Sequence, residues 1–169
     1  MKSLLLAIAI IPLLAFAQDE EEPEVLLYGI MVTEADTVPI RRSELQISIN
    51  GQNPVKVVVV NDSGYYSLGL DYDVHYRIQY KARGFASKCI VVDTHNVEQE
   101  KRPGGFGLNV DVRLIKPKRK SYFEFLESEC VGRTTYDPEE ENFIWDPTIT
   151  ELMNVKIEKA KELDLAGKK

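Results

Sequence analysis

Between residues 25 and 115 the hydrophobic residues recur mostly at every second position. Leu45, Ile47 and Ile49 alternate with Glu44, Gln46, Ser48 and Asn50. Val74, Tyr76, Ile78 and Tyr80 alternate with His75, Arg77, Gln79 and Lys81, and Leu108, Val110, Val112 and Leu114 with Asn109, Asp111 and Arg113. A period of two describes strands with one face on a core and the other in water. Val57-Val58-Val59-Val60 is continuous instead. It predicts a strand covered on both faces, and four β-branched residues in a row disfavour a helix. Turn residues fall where the alternation stops: Asn50-Gly51-Gln52-Asn53-Pro54, Asn61-Asp62-Ser63-Gly64 and Arg83-Gly84.

The pattern predicts seven strands, near residues 25–32, 44–50, 55–61, 65–70, 74–82, 86–94 and 107–115. Many short strands with no amphipathic helix between them indicate a mainly-β chain folded as a β-sandwich over residues 25–115. The segment 96–107 carries Glu100, Lys101, Arg102 and then Pro103-Gly104-Gly105, so it is expected to be an exposed, mobile loop. Residues 116–169 read as an appendage: a basic linker, a hairpin and a helix. Residues 132–136 and 142–145 flank Asp137-Pro138-Glu139-Glu140-Glu141 as a hairpin would. Asp146 before Pro147, with Thr148 and Glu151 as a capping box, marks a helix start. Ile149, Leu152, Met153, Ile157 and Ala160 form one apolar stripe, which is expected to dock on its own domain, and Gly167 is a stop.

The N-terminus adds a destination. Lys2, an apolar run over residues 4–14 broken by Pro12, and Ala15-Phe16-Ala17 have the order of a secretory signal peptide, residues 1–17, cleaved after Ala17. The run is short for a membrane span and leads into an acidic segment, residues 18–24. An exported protein of the periplasm or outer envelope is expected, with no membrane span in the mature chain. The formal net charge of −6 argues against nucleic acid, whose phosphates require a basic face. Lys116, Lys118, Arg119 and Lys120 form a short basic run that fits a solvated segment or a charge-read contact. Cys89 and Cys130 are the chain's two cysteines. An oxidising compartment permits them to pair. Cys89 also lies in a strand-like apolar stretch and fits a core thiol, so the residues leave both arrangements open.

Little in the chain points to chemistry, and no cofactor or metal is expected. His95-Asn96-Val97-Glu98 matches H-x-x-E, half of a zinc site, but an exposed loop histidine fits as well. Asn61-Asp62-Ser63-Gly64 gathers oxygen ligands, but Tyr65-Tyr66 follow where a calcium loop would need alternating ligands, so a β-turn is expected. No G-x-S-x-G elbow marks a nucleophile. Among the eight tyrosines, Tyr76 and Tyr80 share a face with Val74 and Ile78 and belong to the core. Tyr65 and Tyr72 are expected outside, where they would suit a sugar or peptide platform.

Five segments in order resemble the carboxypeptidase regulatory-like domain: Leu27-Tyr28-Gly29-Ile30-Met31-Val32; Val38-Pro39-Ile40; Leu45-Gln46-Ile47-Ser48; Asn61-Asp62-Ser63-Gly64-Tyr65-Tyr66-Ser67-Leu68; and residues 76–85, ending Lys81-Ala82-Arg83-Gly84-Phe85. The resemblance covers residues 25–115 and implies a transthyretin-like, seven-stranded Greek-key sandwich. Residues 87–94 and Phe143-Ile144-Trp145-Asp146 look like small exported bacterial envelope proteins that carry this domain. The resemblance implies a non-catalytic interaction or scaffold module with an envelope protein as partner. The alternative is a small-molecule or glycan binding module using exposed tyrosines. Related enzymes fit less well. The zinc carboxypeptidases take a later histidine as third ligand, and none follows His95. Transthyretin-like hydrolases end Tyr-Arg-Gly-Ser, whereas this chain ends Leu165-Ala166-Gly167-Lys168-Lys169.

Overall fold

The period-two segments form strands in two facing sheets. The computed structural model describes residues 25–167; the expected signal peptide, its cleavage after Ala17 and the acidic segment lie outside the described residues. The first sheet centres on β1 (Val25–Thr33), which pairs antiparallel with β4 (Tyr65–Leu70). On its other side β1 pairs in parallel with β7 (Phe106–Asn109) and then with β8 (Val112–Leu114). The second sheet has the order β10-β9-β6-β5-β2-β3. Its members are β2 (Ser43–Ile49), β3 (Lys56–Val59), β5 (His75–Ala82), β6 (Lys88–Asp93), β9 (Gly132–Asp137) and β10 (Asn142–Trp145). The alternating residues close the space between the sheets: Val25, Leu27, Met31, Leu45, Ile47, Leu70, Ile78, Tyr80, Val92 and Leu114 are all essentially fully buried in one cluster.

Ten strands stand among the described residues where seven plus a hairpin, nine in all, were expected. The seventh breaks at Val110-Asp111, which divides it into β7 and β8. There the Asp111 carboxylate replaces a ladder partner by accepting the Ile30 N–H at 3.1 Å. The hairpin β9–β10 also joins the second sheet, β9 lying parallel to β6 with Ile90 opposite Gly132 and Asp93 opposite Thr135. The valine run differs from expectation too. β3 is the edge of its sheet and bonds to β2 alone; Val57 and Val59, opposite Gln46 and Glu44 on the uncovered face, are 53% and 77% exposed. A continuous apolar run reports residue type, and residue type does not say how many faces a neighbour will cover.

The helix α1 (Pro147–Ala166) begins at Asp146, whose carboxylate accepts the N–H groups of Thr148 at 2.9 Å and Ile149 at 3.4 Å. Thr148 therefore sits inside the first turn, and the cap is the aspartate. Met153, Ile157 and Ala160 bury against a 3-10 helix, residues 120–127, through Phe123 and Leu126 in a second cluster. Leu152, expected in the stripe, is exposed. Asp164, 8% exposed, accepts the backbone N–H of Lys118 at 2.9 Å and of Arg119 at 2.7 Å, and Arg119 reaches the Gly167 carbonyl at the helix end. The basic run is thus tied to the helix.

Gly29 is where the two ends of the sandwich meet. A Cβ there would stand 2.1 Å from the Val110 carbonyl oxygen, whereas one at Gly107 would make ordinary contact with Tyr28 at 3.5 Å. Gly29→Ala is expected to lower the unfolding free energy by about 1–3 kcal/mol, since backbone must move to admit the methyl. Gly107→Ala should stay within about 0.5 kcal/mol of the parent. Urea unfolding of both variants, followed by circular dichroism, makes the comparison.

Asp164 gives a pH expectation. The Lys118 N–H bond holds its carboxyl below the usual carboxylate range; burial opposes this, while the Arg119 N–H and the nearby positive charges add to the lowering. A carboxyl depressed in the folded state contributes stability above its unfolded pKa, and that contribution is lost as pH falls through the lower folded value. Asp164→Asn should therefore be less stable than the parent at pH 7, with the gap closing as pH drops below about 4. Melting temperatures at several pH values test this.

Candidate functional site

Each sequence candidate now has a place. Cys89 and Cys130 form a disulfide, with their Cα atoms 4.5 Å apart. It joins the buried middle of the second sheet to the segment leading into β9, and the Val131 N–H donates to the Cys89 carbonyl at 2.7 Å beside it. Glu127 ties the preceding 3-10 helix to the same sheet. Its carboxylate accepts from Ser87 Oγ at 2.8 Å and Gln79 Nε2 at 3.1 Å, and its carbonyl accepts from Arg77 at 2.8 Å. This helix was missed in the sequence, although Tyr122/Phe125 and Phe123/Leu126 recur at a spacing of three, the period of a 3-10 turn.

His95 lies just after β6. Its Nδ1 is 2.6 Å from Asp93 Oδ1, and the same oxygen accepts the His95 N–H at 3.1 Å. Partial burial pushes the Asp93 carboxyl up, but these two bonds, with the charges of His95 and His75, outweigh it and leave the group below its usual range. Glu98 stands before the short 3-10 turn over residues 99–101, and its side chain makes no capping bond. Among the described residues no three His, Cys, Asp or Glu side chains are grouped to hold a metal ion. Asn61 closes a turn: its Oδ1 accepts from Ser63 N, Ser63 Oγ and Tyr65 N at 3.1, 2.7 and 2.9 Å. Gly64 there has φ +77, and a Cβ would meet the Met31 carbonyl at 2.6 Å. The Asn61 and Ser63 side-chain oxygens that suggested a cation site are hydrogen-bonded within the turn itself.

The tyrosines divide between core and surface. Tyr76 and Tyr80 are buried, and Tyr66 joins them, its hydroxyl 3.1 Å from that of Tyr80 and donating to the Val110 carbonyl. Burial pushes both Tyr66 and Tyr80 well above the ordinary phenol range. Tyr65 is exposed at the start of β4. The register places Tyr65 opposite Ile30 and Tyr28 opposite Ser67, so Tyr28, Ile30 and Tyr65 share the outer face of the first sheet with the exposed Leu26. Tyr72 lies elsewhere, edge-on to Phe106 and under the Arg102 guanidinium at 4.8 Å. Arg102 also pairs with Asp73 at 2.7 Å, and Lys101 with Glu141 at 2.5 Å. Val97 is buried in the core. The segment expected to be mobile is therefore anchored at its centre.

Apolar side chains reach solvent on several surfaces among the described residues, including Ile144 and Trp145 on β10 and Leu152, Val155, Leu163 and Leu165 on α1. Two of these surfaces lie on the sheets' strands near the candidates above. One is the β3 edge, where Val55, Val57 and Val59 are exposed next to unpaired strand backbone. The other is the outer face of the first sheet, with Leu26 and Tyr65. No helix among the described residues is long and apolar enough to cross a membrane.

No family model matches the chain, and no curated protein matches it. Among solved structures it is similar to catechol 1,2-dioxygenase from Acinetobacter sp. ADP1 inhibited by bound mercury, at 13% identity, over 62% of this chain and 56% of that one. The TM-score is 0.40, and a likeness of that degree carries no argument about this chain.

The disulfide closes a loop of 41 residues. Replacing both cysteines by alanine is expected to lower the unfolding free energy by about 4 kcal/mol, the loop-entropy value for that length. Denaturant unfolding of the double variant beside the oxidised parent measures it.

Proposed function

We propose that the chain is exported, is cleaved after Ala17, and acts in the envelope as a non-catalytic interaction module of the carboxypeptidase regulatory-like kind. The observation that carries the proposal is the open β3 edge. A strand with one free side offers a row of unpaired N–H and C=O groups to another chain. Natural edges are commonly blunted by charge, proline or a bulge. Here Lys56 is the single charge in β3, and Val57 and Val59 stand exposed. Those are the elements of strand addition: main-chain bonds for affinity and alternate side chains for selection. The partner would be an envelope protein that contributes an extended, β-branched segment. The disulfide supports export, because such bonds persist in oxidising compartments.

The test is cross-linked co-purification from native envelopes, with the tagged parent beside a Val57→Lys, Val59→Lys variant of matched melting temperature. A partner recovered with the parent and lost with the variant places the contact at β3. Equal recovery with both would move the contact to another face, and recovery of nothing above background with the parent would remove the interaction role.

A further inference from the structure

The outer face of the second sheet carries a hollow of about 310 Å³ beside the disulfide. Its lining includes His75, Arg77, Val91, Ser128, Cys130 and Arg133. The strand register explains why two arginines gather there. Arg77 on β5 is opposite Val91 on β6, and Val91 is opposite Arg133 on β9. The two arginines thus flank one valine across two strand spacings, about 10 Å at the backbone, which two long side chains bridge easily. His75, two residues before Arg77 on the same face, extends the row. No aspartate or glutamate lines the hollow. Carboxylates on the adjoining segments have partners of their own: Asp93, opposite His75 and electrostatically coupled to it, bonds to His95, Glu127 accepts from Ser87 and Gln79, and Glu129 pairs with Lys156.

The hollow thus sets two arginines side by side in a chain of net charge −6. Arg77 has one guanidinium nitrogen on the Glu127 carbonyl, which fixes its position while leaving further N–H donors. Arg133 has no ion pair among the described residues. The disulfide and Glu127 hold the Ser128–Cys130 wall in place, so the hollow does not depend on a loose loop for one side.

We propose that this hollow binds a phosphate-class oxyanion, free or carried as a small monoester. Two guanidinium forks set across a gap suit a tetrahedral group with several oxygens and nearly two negative charges better than a single carboxylate. The Ser128 hydroxyl at the wall donates to the Phe125 carbonyl at 3.2 Å, so the donors left to the anion are the arginines and a His75 ring N–H at the far end of the row. The volume is at the lower limit of small-molecule pockets, roughly 300 Å³, which leaves room for a short organic group beside the phosphate. This site is independent of the β3 edge, so the two proposals stand or fall separately.

The experiment is titration of the purified protein with inorganic phosphate and, in parallel, glycerol 3-phosphate, followed by amide NMR shifts. Saturable shifts are expected at Arg77, Val91, Ser128 and Arg133, with the β3 amides unchanged. Arg133→Ala should weaken binding by roughly tenfold or more, as expected for loss of a charged hydrogen-bond donor, without changing the melting temperature. Arg133→Lys should recover part of the loss. Tighter binding of the monoester would identify an ester as the occupant, and equal affinity the free anion. Linear, unsaturated shifts with both compounds, or saturation that Arg133→Ala leaves unaltered, would overturn the proposal.

Discussion

The approach of Val110 to Gly29 governs how the first sheet is assembled. β1 opens the described part of the chain, while β7 and β8 arrive from more than 70 residues later. Their parallel pairing brings a carbonyl against the β1 backbone at a distance that a side chain on residue 29 would prevent. The Tyr66 hydroxyl then meets the same carbonyl from inside the core, and the Asp111 carboxylate takes the neighbouring Ile30 N–H. A break in a strand would ordinarily leave buried backbone groups unpaired, at a cost of about 1–3 kcal/mol each. Here side chains from both sides occupy those positions, so the strand can bend without that loss. Tyr66 and Tyr80 can share a hydroxyl contact in the core because both phenols stay protonated there.

The second sheet is extended on similar lines. β9 has little to recommend it as an independent strand: Arg133, Thr135 and Asp137 alternate with Gly132, Thr134 and Tyr136, and only Tyr136 carries a large apolar side chain. Its place beside β6 is secured from outside the ladder, by the disulfide at one end and the aromatic contacts of Phe106, Tyr136 and Phe143 at the other. The 3-10 helix and α1 then cover that side, with Glu127 and Asp164 as the polar ties at the two ends of the covering layer. An interaction module and an anion site would both draw on this arrangement. The first uses the uncovered edge at β3, and the second uses the ground left open between the disulfide and the cationic row.

Much of this was legible in the chain. Alternation placed β1, β2, β4, β5 and β6 within a residue or two, and turn chemistry at Asn61 and Gly64 carried through to the hydrogen bonds. Asp146-Pro147 marked the helix start, though the cap proved to be the aspartate alone. What the chain could not disclose depends on distant partners. The Asp111 break is invisible because its cause is the Ile30 N–H, 81 residues away. The exposure of Val57 and Val59 is set by what covers their face of the second sheet, where they stand opposite Gln46 and Glu44. The disulfide needed the parallel pairing of β6 with β9 to bring its cysteines together. The candidate surfaces were legible only as types: a tyrosine reads alike in a core and on a face, and Arg77 and Arg133 become neighbours only through the register with Val91.

The flanking of β1 has a mechanical consequence. Antiparallel β4 on one side and parallel β7 and β8 on the other hold this strand along its length. Inter-strand hydrogen bonds run across the strand direction. A pull applied at Val25 along β1 therefore loads both rows in shear, so they must fail together instead of unzipping one bond at a time. Force arriving along β1 at that end would be shared between β4 on one side and β7 and β8 on the other.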